Sequence, residues 1–316
     1  MMGVDEFASR FSGGEIWEQD VGDLTLRGRW IEHPSSAAPV IHFVHGNGFA
    51  GDMYAPCLTP LLKYASLFTH DMQGHGLSDS GANFVGLELS AARIGTVIDR
   101  NSHLFGDRKR IAIGHSFGAM LTLCYAAENP EAFDAVVLLD PVLLNPEQFI
   151  LVQRHYDAGE SLSPLANQAL QRSTDWPNRE AAFEYFNGRK SLSTWHPDGL
   201  EAYINAVLEC NSNGSCSLRC PPWMEAAIFS QRPTDHWPAI RSLTTPTLAI
   251  YGKQSLPFLE PNLRQAAAQN AYIFVVGADG GHCFTQEHPE SLVALLQNYP
   301  PVAALLNVAP NGRHSG

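Results

Sequence analysis

The chain has 316 residues, of which 45 % are hydrophobic and 16 % are charged, an ordinary balance for a globular protein with ample material for a core. Its formal net charge of −12, without any Lys/Arg-rich run, argues against nucleic acid as a partner, because phosphate binding needs a concentrated basic face. No stretch approaches the ~18 apolar residues of a membrane span, and the first residues do not resemble a signal peptide. We therefore expect a cytoplasmic protein with one large domain carrying an insertion, or with two domains.

The six cysteines are expected to be free thiols, the default for a long chain without an export signal. They are Cys57, Cys124, Cys210, Cys216, Cys220 and Cys283. The spacing Cys210-x5-Cys216-x3-Cys220 fits no standard zinc pattern, so we predict no metal site, and we predict no cofactor.

Between Leu24 and Asp140, short apolar runs alternate with stretches whose apolar residues recur at helical spacing. Strands are predicted at residues 25–33, 40–46, 66–71, 110–116 and 134–141, and helices at residues 86–105 and 117–129. Short strands separated by helices indicate βαβ units and a mostly parallel sheet.

The pattern changes after Pro141. Residues 142–240 contain no buried-strand run, and they are helix-like, rich in aromatic residues and punctuated by Pro, Asn and Gly. The alternation of strand and helix returns with strands predicted at 247–252 and 272–279 and helices after Pro261 and Pro289. We therefore predict a core formed by residues 1–141 and 241–316, interrupted by a helical cap at 142–240. An insertion of this size is usually a lid over an active site.

Gly114-His115-Ser116-Phe117-Gly118 fits the pattern G-x-S-x-G, preceded by the strand RIAI and followed by the helix AMLTLCYAA. A serine on such a tight strand-to-helix turn has strained backbone angles, and small flanking residues let the chain fold back. The turn lifts the hydroxyl above the sheet, beside the positive end of the helix dipole. Ser116 is therefore the predicted nucleophile.

Four motifs stand in the order typical of α/β-hydrolases, particularly those with a cap. They are VHGNG (44–48), DMQGHGLSD (71–79), GHSFG (114–118) and GGHCFTQEHPE (280–290). The resemblance covers about residues 24–140 and 242–300. It implies an α/β-hydrolase fold with a mostly parallel eight-stranded sheet, helices on both faces and a cap inserted after the sixth strand. The turn at 71–79 is structural in this family, and we assign it no chemistry.

The resemblance also implies the base. A serine hydroxyl is a poor nucleophile near neutral pH and needs a base within hydrogen-bonding reach. In the family the catalytic histidine occupies the loop after the last strand, and here that loop holds His282. The pair Gly280-Gly281 gives the backbone freedom to aim the ring.

The acid departs from the common family pattern. Many members place it about three residues after the glycine that ends the strand before the last, but here that position holds Ser255. A second family position is the end of the strand after the nucleophile helix, where Asp140 closes DAVVLLDP. We predict Asp140 as the triad acid, with Glu260 as the first alternative. Another residue, or a dyad without an acid, is the remaining option.

Tetrahedral intermediates need preorganised N–H donors. Alignment on His45-Gly46 places one predicted donor at the amide of Asn47, with Gly48 as alternate and the Asn47 side chain as a further option. The other predicted donor is the amide of Phe117, the residue after the nucleophile.

The leading hypothesis is an esterase that acts on small to medium, apolar carboxylic esters. A second reading keeps the triad but hydrolyses a C–C bond in dienoic meta-cleavage products, which similar capped enzymes do. Their anionic substrates would need basic residues in the pocket, and the predicted cap offers Arg154, Arg172, Arg179, Arg189 and Lys190. A third reading is a non-catalytic binding protein on the same fold, favoured only by the missing acid at position 255. Dehalogenase and epoxide hydrolase activities are disfavoured, because those relatives use an aspartate nucleophile.

Overall fold

The computed structural model describes residues 11–160 and 163–307. Its main sheet contains eight strands in the order β1-β2-β4-β3-β5-β6-β10-β11, and a second sheet contains β7, β9 and β8. The strands are β1 Glu15–Asp20, β2 Thr25–Ile31, β3 Val40–Val44, β4 Ser66–His70, β5 Arg110–His115, β6 Ala135–Leu139, β7 Asp175–Trp176, β8 Leu208–Cys210, β9 Cys216–Leu218, β10 Thr247–Gly252 and β11 Ile273–Ala278.

The strands from β4 to β11 in the main sheet run parallel, whereas β1 and β2 are antiparallel. The predicted mostly parallel eight-stranded sheet is therefore confirmed, and the long insertion follows the sixth strand as predicted. The register pairs Val44 with Gly114, His115 with Leu139, and Leu139 with Ile250. The carboxyl ends of β3, β5, β6 and β10 consequently meet along one edge.

The helices of the described residues are α1 Ala55–Leu58, α2 Leu87–Arg100, α3 Ser102–Phe105, α4 Phe117–Glu128, α5 Pro146–Asp157, α6 Pro164–Leu170, α7 Arg179–Asn187, α8 Pro197–Val207, α9 Pro222–Phe229, α10 Trp237–Ser242, α11 Leu259–Gln269, α12 Phe284–Glu287, α13 Ser291–Gln297 and α14 Pro300–Leu305. Short 3₁₀ helices lie at Gly51–Tyr54, Thr59–Lys63 and Lys190–Leu192. None of the helices in these ranges is long and apolar enough to cross a membrane.

Two hydrophobic cores lie on opposite faces of the main sheet. Successive residues of a strand point to opposite faces, so Val137 and Leu139 join one core while Val136 and Leu138 join the other. All four are at most 2 % exposed. Because both faces are covered, the central strands are apolar throughout, as expected for parallel strands.

The insertion differs from prediction in two respects. It contains the small antiparallel sheet β7-β9-β8 as well as helices, and the pairing of β8 with β9 sets Cys210 directly opposite Cys216. These two cysteines form a disulfide, so the expectation of free thiols is wrong for them, while the other four are free. Strands of two or three residues are too short to show alternation in the sequence. The division of the chain into core and cap stays a prediction.

Five histidines are buried in or beside the sheet with at most 3 % of their surface exposed: His42, His45, His70, His75 and His115. Burial lowers the pKa of His42 to about 3 and that of His75 to about 4. Burial, with neighbouring histidines, also lowers the pKa values of His45 and His70. The folded protein therefore holds these rings neutral in mild acid, where an unfolded chain would protonate them.

We predict that stability falls steeply as the pH drops from about 6.5 to 4.5. In this window the histidines bind protons in the unfolded chain but stay neutral in the folded protein. Each such ring lowers the free energy of unfolding by about 1.4 kcal/mol per pH unit. Asp71 has the opposite effect, because burial and Asp52 raise its pKa to about 7 and the folded state therefore binds one proton that the unfolded chain does not. Urea unfolding at several pH values measures the slope.

His42→Phe provides the sharpest variant, because neither ring nitrogen of His42 has a hydrogen-bond partner in the described structure and the ring lies between Phe68 and Phe133. The substitution should reduce the slope by one proton. The exposed control His103→Gln should leave it unchanged. A slope identical in parent and His42→Phe protein would contradict the assignment.

Candidate active site

Ser116 lies on a sharp turn between β5 and α4, with φ 53° and ψ −118°. This positive φ is costly for a residue with a side chain and persists only where the surroundings enforce it. A Cβ atom on Gly114 would lie 2.5 Å from the carbonyl oxygen of Gly118, and one on Gly118 would clash with that of His45. Both glycines of the motif are therefore required by the close packing of the turn.

His282 lies in the loop between β11 and α12, with its ring directed at the serine. Its Nε2 is 2.9 Å from Ser116 Oγ, and its Nδ1 is 2.6 Å from Asp140 Oδ2. Because an aspartate accepts at Nδ1, the Nδ1–H donates to Asp140 and Nε2 is free to accept the serine proton. The structure thus joins the three predicted residues in one hydrogen-bonded chain.

The loop that carries His282 is held by side chains on both sides. Gly280 N donates to Gln254 Oε1 at 2.6 Å, and Gly281 N donates to Glu287 Oε2 at 2.9 Å. Gly280 has φ 114°, a conformation that favours glycine. The two glycines therefore shape the loop, and its neighbours fix the position of the ring.

Asp140 follows β6 and is completely buried. Its Oδ1 accepts a hydrogen bond from Gly252 N at 2.6 Å, and its Oδ2 accepts from Ser255 Oγ at 2.5 Å as well as from His282. Three donors compensate the cost of burying this carboxylate. By contrast, Glu260 lies on α11 and pairs with the exposed Arg264 one turn further on.

Ser255 has a contact that the sequence analysis missed. It stands where many relatives carry the acid, and its hydroxyl donates to the carboxylate that comes instead from β6. Ser255 therefore does not replace the acid at this position but donates a hydrogen bond to Asp140. The position of Ser255 in the family pattern was the only indication in the sequence, and the residues around it do not show that Asp140 lies within hydrogen-bonding distance.

The loop after β3 packs directly against the nucleophile turn. We call residues 45–49 the oxyanion loop; a Cβ on its Gly46 would lie 3.3 Å from Ser116 Cβ. Among the described residues, the amides of Asn47 and Phe117 have no protein acceptor, and Phe117 is the first residue of α4, whose amide cannot bond within the helix. Both predicted donors therefore have free N–H groups, one in the residue after the serine and the other in the loop that packs against it.

The two alternative donors are already engaged. Gly48 N donates to His75 Nε2 at 2.9 Å, and the side-chain Nδ2 of Asn47 donates to the carbonyl oxygen of Glu225 at 3.1 Å. The Nδ1 of His75 lies 2.9 Å from the carbonyl oxygen of Gln73 and therefore carries the proton of the ring. These bonds leave the backbone amide of Asn47 as the available donor of the loop.

A buried chain of polar groups links this loop to the histidine loop. Tyr54 Oη is 2.6 Å from His115 Nδ1 and accepts from Gly46 N at 3.4 Å, and His115 Nε2 is 2.8 Å from the carbonyl oxygen of His282. Burial and the neighbouring His282 lower the pKa of His115 to about 3, so its ring is neutral. His115 therefore donates to His282 O and accepts from Tyr54, a role the sequence did not reveal.

An open groove with a volume of about 480 Å³ lies beside the nucleophile helix, between residues 83–86 and α9. Its lining includes Phe84 and Trp223, and the Phe84 ring packs edge-on against Phe117 at 6.2 Å between centroids. Trp223 is 37 % exposed. The groove thus offers aromatic surface, and its Phe84 contacts Phe117, the residue that follows Ser116 in the chain.

The alpha/beta hydrolase family matches residues 43–295. With the sheet order and the turn geometry described above, the chain belongs to this family, and the resemblance found in the sequence is confirmed.

Among individual relatives, a 2-(acetamidomethylene)succinate hydrolase from Mesorhizobium japonicum is 23 % identical over 281 residues, covering 89 % of this chain and 93 % of the relative. The monoglyceride lipase of Mus musculus is 32 % identical over 119 residues, covering 36 % of this chain and 39 % of the lipase. The crystal structure of E-2-(acetamidomethylene)succinate hydrolase superposes with a TM-score of 0.72 at 21 % identity, covering 91 % of this chain and 99 % of that one. This structural likeness shows a shared fold.

We predict that Asp140→Asn lowers kcat for p-nitrophenyl butyrate by about 10⁴-fold, as the same change does in a serine protease triad, because the amide favours the wrong imidazole tautomer. Ser255→Ala should cost roughly two- to tenfold, since it removes one hydrogen bond of about 0.5–1.5 kcal/mol. Ser116→Ala sets the floor, and thermal melting checks the fold of each variant. A nearly fully active Asp140→Asn protein alongside an inactive Glu260→Gln protein would overturn the assignment.

Proposed function

We propose that this protein is a serine hydrolase that cleaves small to medium carboxylic esters through an acyl-enzyme. The observation that carries the proposal is the hydrogen-bonded chain from Ser116 through His282 to Asp140, at 2.9 Å and 2.6 Å. A nucleophile, a base and an orienting carboxylate at these distances meet the geometric requirements of the mechanism. The intact chain of bonds also argues against a non-catalytic binding protein.

In the first half of the reaction, Ser116 Oγ attacks the ester carbonyl while His282 Nε2 takes the hydroxyl proton. Asp140 stabilises the resulting imidazolium, and the amides of Asn47 and Phe117 donate to the oxyanion of the tetrahedral intermediate. When the intermediate collapses, the C–O bond to the alcohol breaks and His282 gives its proton to the leaving alkoxide. The serine then carries the acyl group.

The second half repeats these steps with water as nucleophile. His282 removes a proton from water, the hydroxide attacks the acyl carbonyl, and the same two amides stabilise the new oxyanion. Collapse breaks the bond to Ser116 Oγ, which recovers its proton from His282. The products are one carboxylic acid and one alcohol.

The charges near the site favour an uncharged ester over an anionic substrate. One cation near the oxyanion loop is Arg172, and its guanidinium is already hydrogen-bonded to the carboxylate of Glu225. Such a pair has no net charge with which to attract a carboxylate. The aromatic groove beside Phe117 suits the apolar arm of an ester, and one relative is a monoglyceride lipase.

The second candidate is hydrolysis of a C–C bond in a dienoic acid of the meta-cleavage type. It is favoured by the relative that matches nearly the whole chain, whose named substrate is a substituted succinate and hence a dicarboxylate. This function would require Arg172 to exchange Glu225 for a substrate carboxylate. The two candidates share the triad and differ in the charge of the substrate.

A fluorophosphonate probe followed by a substrate panel tests the proposal. The parent protein should be labelled at Ser116, Ser116→Ala should not be labelled, and p-nitrophenyl butyrate should be hydrolysed faster than a meta-cleavage product. Faster hydrolysis of the meta-cleavage product than of the ester would instead support the second candidate. Absence of labelling at Ser116 would refute both.

A further inference from the structure

The insertion contacts three consecutive residues of the oxyanion loop. The side chain of Asn47 donates to the carbonyl oxygen of Glu225 at 3.1 Å. The carboxylate of the same Glu225 lies where a side chain at Gly48 would be, 3.0 Å from the position of its absent Cβ. The ring of Phe49 packs edge-on against Tyr203, with 6.0 Å between centroids.

The residues that make these contacts are bonded to one another through Arg172. The Nη1 of Arg172 donates to Glu225 Oε2, and its Nη2 donates to Tyr203 Oη at 2.8 Å. Arg172 follows α6, Tyr203 belongs to α8, and Glu225 belongs to α9. We call Arg172, Tyr203 and Glu225 the insertion cluster, since they connect three helices of the insertion at one point.

The insertion cluster is largely withdrawn from water. Glu225 is 9 % exposed and Tyr203 is 4 % exposed. Burial opposes the charge on Arg172, but the facing Tyr203 and Glu225 outweigh it and raise the pKa of the guanidinium. Removing one partner of a buried ion pair leaves the other charge uncompensated, so the surroundings must rearrange.

The oxyanion loop is therefore held by two parts of the molecule. On the side of the main sheet, Gly48 N is fixed by His75, and Gly118 packs against the carbonyl oxygen of His45. The loop also meets the insertion cluster, through Glu225 and Tyr203. Gly48, at φ 76°, adopts a left-handed conformation that favours glycine.

We propose that the insertion cluster positions the oxyanion loop, so that stabilisation of the transition state depends on an ion pair carried by the insertion. This inference rests on the proposed function, because the loop matters only if an oxyanion forms. Arg172, Tyr203 and Glu225 are positioning residues that act through the Asn47 amide. Their loss lowers kcat with little change in KM, since the substrate carbonyl of the ground state needs that amide less than the oxyanion does.

The principal variant is Glu225→Gln, which keeps the backbone carbonyl that Asn47 contacts and removes only the charge facing Arg172. We expect kcat for p-nitrophenyl butyrate to fall about ten- to hundredfold, below the loss of a whole oxyanion-hole donor at 10²–10³-fold, with KM changed less than about threefold. Arg172→Gln should give a similar loss. The double variant should lose no more than either single one, because the two residues act as a unit.

Tyr203→Phe is a milder variant that keeps the ring against Phe49 and removes only the hydroxyl that Arg172 contacts. It should lower kcat by a smaller factor, and it serves if Glu225→Gln fails to fold. The matched control is Glu201→Gln, which breaks the exposed pair of Glu201 with Arg179 in the same insertion. An exposed pair contributes little, so this variant should match the parent.

A second readout separates positioning from a general loss of structure. A trifluoromethyl ketone forms an oxyanion adduct with the nucleophilic serine, whereas the matching methyl ketone binds mainly without reacting. The affinity of Glu225→Gln for the trifluoromethyl ketone should fall by the same factor as kcat/KM, while the affinity for the methyl ketone stays within about threefold. Melting temperatures confirm that each variant is folded.

The outcomes distinguish this inference from the proposed function. Parent-like kcat and trifluoromethyl ketone affinity in Glu225→Gln and Arg172→Gln would overturn it, as would a loss confined to KM, which would mark a substrate contact. An equal loss in Glu201→Gln would also overturn it, because the effect would then belong to the insertion in general. If the parent is not labelled at Ser116, the proposed function itself fails, independently of these variants.

Discussion

The buried carboxylate of Asp140 joins parts of the molecule that are far apart in the chain. Asp140 directly follows β6, accepts a hydrogen bond from the last residue of β10 at Gly252, and meets His282 in the loop after β11. A charge in this position is tolerated only because three donors converge on it. These bonds hold the ends of β6 and β10 together and orient the imidazole of His282. The imidazole in turn lies within hydrogen-bonding distance of Ser116 Oγ.

The same sheet edge has a second organising feature, the contact between the oxyanion loop and the nucleophile turn. Gly46 lies against Ser116, and Gly118 lies against the backbone of the loop, so β3 and α4 cannot separate without moving both amides. Tyr54 and His115 extend this contact to the backbone of His282. The amides of Asn47 and Phe117, Ser116 and His282 therefore belong to one connected set of contacts, as the proposed mechanism requires.

The insertion adds to this set of contacts from outside the sheet. Its helices α8 and α9 bring Tyr203 and Glu225 to the oxyanion loop, which His75 also contacts. Some charged residues of the insertion thus pair with one another inside the protein, as Arg172 and Glu225 do, while others face the solvent. For Arg172 this explains why a basic residue near the site does not by itself indicate an anionic substrate.

Local pattern in the sequence was enough to predict a mostly parallel sheet, a long helical insertion and the strained turn at Ser116, and the family resemblance added the eight strands and the loop of His282. These features depend on short-range regularities, namely apolar runs, glycines that permit close approach, and strand-helix alternation. Asp140 was predictable as a candidate because it ends a strand next to the nucleophile, but its three donors come from positions more than a hundred residues away.

Only the tertiary structure decided the remaining features. They are the hydroxyl of Ser255 on the acid, the link from His115 to His282, the short strands that pair Cys210 with Cys216, and the contact of Glu225 with the oxyanion loop. Each one joins segments that have no regular spacing in the chain. The physical reason is that hydrogen bonds and buried charges are satisfied by whichever group the packing brings near, and sequence separation does not limit that choice.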